Sequence, residues 1–165
     1  MIPVGDSLKA FETWRRVRLG RCQTASAYHT ALLEGGFKIG PFSEDLLDKT
    51  PISLDQIDVE LISLSVDELG FPNGTTYGES CKKGIGLGLN LSPGELGAAL
   101  RLDYHNQPRG EFLRLAMTPI LHTNGKPGIF WEVDHGDGVQ WLGGTDGSPD
   151  VLLKPEDRLV FIRRP

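Results

Sequence analysis

Acid, base and imidazole groups concentrate in one short stretch, where Arg101, Asp103, His105, Glu111 and Arg114 flank the turn signal Gln107-Pro108-Arg109-Gly110. Carboxylates beside an imidazole suit general acid–base work, and arginines supply fork-shaped donors for a carboxylate or phosphate. Arg101, Asp103, His105, Gln107, Glu111 and Arg114 are therefore the candidate ligand-binding set, suited to a small polar or anionic ligand. As an enzyme, the same stretch would use Asp103, His105 and Glu111. The bland alternative is a solvated sheet surface on which Asp103 and Arg114 form a cross-strand pair.

Other reactive residues carry less. The histidines are His29, His105, His122 and His135, with no pair at helical ligand spacing, so no metal and no cofactor is expected. His135 between Asp134 and Asp137 suits a hard ion or a proton transfer, but a polar hairpin tip supplies the same residues. Cys81 precedes Lys82 and Lys83, which would favour its thiolate, yet an isolated cysteine is more often a packing residue. Gly84-Ile85-Gly86-Leu87-Gly88 lacks the spacing of a dinucleotide loop and reads as a tight turn. Arg15, Arg16, Arg18 and Arg21 form the basic cluster, and a nucleic-acid binder is the third reading. The net charge of −5 disfavours it, and edge strands carry such charge to discourage sheet-to-sheet association.

The elements that must position these groups follow from periodicity and turn chemistry. Trp14 to Leu19 alternates as a half-exposed strand, and Thr24 caps a helix that buries Tyr28, Ala31 and Leu32 before Gly35-Gly36. Ser43 signals a second short helix. Residues 57–66 alternate with a parity flip at Leu61-Ile62, which requires a bulge or a strand covered on both faces. Thr75 or Thr76 caps a helix to about Lys83. Ser92-Pro93-Gly94-Glu95 has the pattern of a capping box, opening a helix to about Ala99.

A strand from Leu100 then pairs across 107–110, setting Tyr104 against Leu113 and Asp103 against Arg114. Turns at 124–127 and 135–138 join further antiparallel strands, with Ile129, Trp131 and Val133 on the apolar face and Trp131 mostly buried. The strand 159–162 is apolar at both parities and belongs inside a sheet beside an N-terminal strand.

The expected architecture is one α+β domain over residues 1–165, with 1–12 a loosely attached arm. Its antiparallel sheet is largely a C-terminal meander packed against short helices from the N-terminal half. Open sheet edges imply a homo-oligomer. The sequence has no apolar run of signal or membrane-spanning length, and with Cys22 and Cys81 read as free thiols the expectation is a cytoplasmic protein.

From Leu87 onward the chain resembles an uncharacterised bacterial protein family. The likeness is carried by Leu87-Gly88-Leu89, Ser92-Pro93-Gly94-Glu95, residues 100–104, 107–111 and 116–120, and the ending 158–163. Where that family has cysteine-proline before the short helix, this chain has Leu91-Ser92-Pro93. The resemblance implies an intact domain and brings no activity. The leading functional expectation is therefore a noncatalytic small-ligand-binding or protein-interaction domain, with an enzyme as its alternative.

Overall fold

Alternation near the start of the chain produces an edge strand. The computed structural model describes residues 11–134 and 136–164, and in it β1 (Arg15–Leu19) buries Val17 and Leu19 while Arg16 and Arg18 stay exposed. Thr24 caps α1 (Ala25–Glu34) by accepting the Ala27 N–H at 3.0 Å, and Gly36, at φ +84°, takes the left-handed turn that follows the helix. After β2 (Lys38–Ile39), α2 (Pro41–Asp48) begins two residues before Ser43. The fixed φ of Pro41 starts that helix, and the buried Ser43 hydroxyl instead bonds the Gly40 and Leu142 carbonyls.

β3 (Ile57–Ser65) pairs without a break in register against β1 over residues 57–61 and against the last strand of the sheet over 61–65, so its parity flip is not a bulge. Leu61 and Ile62 are both buried, because that half of the strand is covered on both faces. β4 (Thr75–Thr76) leads into α3 (Tyr77–Gly86), capped by Thr76 on the Glu79 N–H.

The largest departure from expectation is α4 (Glu95–Asp103), which runs straight through the region assigned to a strand. Burial of Leu96 and Leu100, and of Gly97 and Arg101, at four-residue spacing outweighs the short alternation of residues 100–104. Ser92 does not cap it. The Ser92 hydroxyl bonds the Val160 carbonyl, and Glu95 reaches away to other segments. The expected pairings of Tyr104 with Leu113 and of Asp103 with Arg114 therefore do not exist, and 107–110 links a helix to β5 (Phe112–Leu115).

The two later hairpins form as expected. β6 (Ile120–Leu121) pairs with β7 (Pro127–Asp134), and β7 pairs with β8 (Gln140–Asp146). β9 (Leu152–Leu153) pairs with β4, and β10 (Arg158–Ile162) lies between β3 and β5, buried along its centre. The main sheet has the order β1-β3-β10-β5-β7-β8-β2, antiparallel except at β10–β5 and β2–β8. The fold is α+β. No described helix is long and apolar enough to cross a membrane.

α4 lies over β1, β7 and β8 with α1 beside it, and α2 packs next to α1 on β7 and β8, whereas α3 packs on the opposite face, Gly84 against Phe161. β7 is buried on both sides. Ile129 and Val133 are buried and Trp131 partly so, but the face toward α4 is the other one, carrying Phe130 and Glu132.

Candidate functional site

A helix must come close to a sheet before a polar group on one can reach the other. A Cβ at Gly97 would stand 2.7 Å from the Phe130 ring, so only glycine lets α4 settle this near β7. Four residues on, Arg101 lies on the same helix face and is wholly buried beside Glu132.

Arg101 is held mainly by neutral acceptors. Its guanidinium donates to Gln107 Oε1 at 2.7 Å, to the Trp141 carbonyl at 3.2 Å and to the Tyr104 carbonyl. Phe37 and Tyr104 rings flank it. Glu132 is 4.0 Å away, and neither of its oxygens nor Arg101 Nε has a hydrogen-bond partner among the described residues. Burial pushes the Glu132 carboxyl up to about 8, against the pull of Arg101. The same burial lowers Arg101 from its ordinary value.

Gln107 carries this network outward. Its amide N–H groups donate to the Glu132 carbonyl at 3.0 Å and to Glu111 Oε1 at 3.3 Å. Tyr104 OH donates to the same Glu111 oxygen at 2.8 Å. Two donors from behind thus fix the Glu111 carboxylate, while its Oε2 has no partner among the described residues.

Glu111 lines a cleft of 640 Å³ at the ends of β3, β5 and β10. Phe11 and Trp14 give it part-exposed aromatic surface, while Ile62, Leu64 and Leu113 border it from the buried core. Across from them Arg158 donates to Ser63 Oγ at 3.1 Å and to the Ser63 carbonyl at 3.0 Å, and lies 3.2 Å from Glu68. Such a cleft has the size and the mixture of a small-molecule site.

The six candidates divide. Arg101, Gln107 and Glu111 form one connected network. Asp103 accepts from Arg15 at 2.7 Å, His105 is exposed with its ring against Phe37, and neither lines the cleft. Strand pairing places Arg114 on the sheet face opposite Glu132, 3.7 Å from Asp157 and over the Trp131 ring. Tyr104, Glu132, Trp14, Glu68 and Arg158 went unselected by sequence. Glu132 did leave a signal, as the single acid within the apolar run 129–133.

Cys81 is buried and its thiol is pushed up to about 11, so the neighbouring lysines do not activate it. His135, on which the Asp134–His135–Asp137 reading depends, lies outside the described residues. Among the described residues no group of three acids, histidines or cysteines could hold a metal. Comparison with protein-family models, with curated proteins and with solved structures finds nothing that matches this chain.

Proposed function

We propose that the chain is a noncatalytic small-ligand-binding domain whose site is the cleft beside Glu111. One observation carries this reading: a 640 Å³ cleft with aromatic walls is lined by a carboxylate that a buried network holds in place. Preorganisation of this kind lowers the ordering cost of binding. The enzyme alternative loses support because Asp103, His105 and Glu111 do not converge. The nucleic-acid reading loses it because Arg15, Arg16 and Arg18 already face Asp103, Glu60 and Asp58. A cytoplasmic location belongs to the same proposal, supported by two free cysteines.

Thermal-shift screening of a metabolite library against the parent protein and Ser63→Trp tests the site, since the larger side chain would fill the cleft. Compounds that stabilise the parent and not the variant are the expected result. Compounds that stabilise both equally, or none at all, would overturn the reading.

A further inference from the structure

We infer that the cleft selects an organic cation, a primary ammonium or guanidinium on an apolar stem, with the Glu111 carboxylate as its counter-ion. The inference rests on the cleft being the binding site and adds the charge of the ligand.

Among the described residues lining the cleft, the acids are Glu12, Glu68 and Glu111 and the only base is Arg158. Arg158 already donates to both Ser63 oxygens and lies 3.2 Å from Glu68, so a carboxylate offsets its charge before any ligand arrives. Arg101 and Arg114, the donors an anion would need, are respectively sealed within the α4–β7 contact and placed on the opposite sheet face. The acceptor side is the reverse case. Glu111 is anchored through Oε1 by Tyr104 and Gln107, and its Oε2 has no internal partner among the described residues. A charged donor arriving there forms a strong, charge-assisted bond without reorganising the site. Phe11 and Trp14, both part-exposed in the same lining, offer apolar surface to an alkyl stem, and partial enclosure strengthens the ion pair relative to open water.

Calorimetric titration with agmatine, the tripeptide Gly-Arg-Gly and glutarate, on the parent, Glu111→Gln and Ser63→Trp, tests this. The glutamine keeps an oxygen for Tyr104 and Gln107 and removes only the charge. The expected result is that agmatine or the tripeptide binds the parent, weakens roughly tenfold or more in Glu111→Gln and is lost in Ser63→Trp. The tighter of the two cations shows whether the source is a free metabolite or a peptide side chain. Cation binding that Glu111→Gln leaves unchanged would overturn the inference. So would glutarate binding that Ser63→Trp abolishes, although the cleft would then stand as a site. If none of the three binds while library compounds still bind in the cleft, the cation inference falls alone; if nothing binds there, both readings fall.

Discussion

Two buried glutamates, Glu95 at the start of α4 and Glu132 on β7 beneath that helix, meet opposite fates. Glu95, 1% exposed, accepts hydrogen bonds from the Gly20 N–H at 2.6 Å, the Tyr28 hydroxyl at 2.5 Å and the Ser53 N–H at 2.8 Å. Glu132, 0% exposed, accepts none among the described residues, and its nearest cation is 4.0 Å away. Burial is equal, so what separates them is the supply of donors. The first glutamate ties the end of β1, α1 and the loop before β3 to the start of α4. The second keeps its proton through neutral pH, because no donor compensates for its lost hydration.

The sharpest way to break this comparison is to remove Glu95. Glu95→Ala strands two backbone N–H groups and a tyrosine hydroxyl, each costing about 1–3 kcal/mol when left unsatisfied. A loss of roughly 3–6 kcal/mol in urea unfolding is expected, with a smaller loss for Glu95→Gln, which keeps one acceptor. Equal stability of Glu95→Ala and the parent would show that water replaces the carboxylate there.

Glu132 makes the opposite kind of prediction, through pH. Its folded value of about 8 lies above the ordinary 4.5, so between those limits the folded chain holds a proton that the unfolded chain has released. This group's contribution is therefore fully present below pH 4.5 and is lost as pH rises through 8, by up to about 5 kcal/mol. Urea midpoints of the parent at pH 5 and pH 9, minus the same difference for Glu132→Gln, isolate it. A difference near zero would mean that the carboxyl ionises in the fold.

How much of this was legible follows from the same residues. Glu95 was singled out in sequence, but as half of a capping box with Ser92, since local pattern cannot show that Ser92 is drawn to Val160 and Glu95 to three distant donors. The strand at 158–162, both hairpins after residue 120 and the caps at Thr24 and Thr76 were legible because turn chemistry and periodicity are local. The helix through 100–103 was not, because five alternating residues match a strand as well as a helix face and tertiary packing decided between them. Of the candidate site, Glu111, Gln107 and Arg101 were chosen for a hairpin that does not form, and the network that joins them arises from the helix that replaced it.

Arg101 sharpens the comparison at a smaller scale. Arg101→Met removes the cation beside Glu132 and the donors to Gln107, Trp141 and Tyr104, with an expected loss of about 3 kcal/mol. Arg101→Met/Glu132→Leu should recover only a small part of it, because the Gln107, Trp141 and Tyr104 acceptors stay without their donor. A double variant as stable as the parent would show that the carboxylate, and not the neutral acceptors, is what Arg101 satisfies.

The smallest effect is expected where the ion-pair geometry looks best. Arg18 Nε donates to Asp58 Oδ1 at 2.8 Å across β1 and β3, a far shorter contact than Arg101 makes with Glu132, and it holds the Asp58 carboxyl below its ordinary range. Both side chains are more than half exposed. Water already solvates each charge before the pair forms, and salt screens what attraction is left, so the contact gains little over the separated ions. Arg18→Ala should leave the thermal midpoint unchanged within error, at low salt and at 1 M sodium chloride alike. A salt-dependent drop would show that β1 relies on its charged outer face, and that proximity alone, without burial or donor supply, can rank these carboxylates.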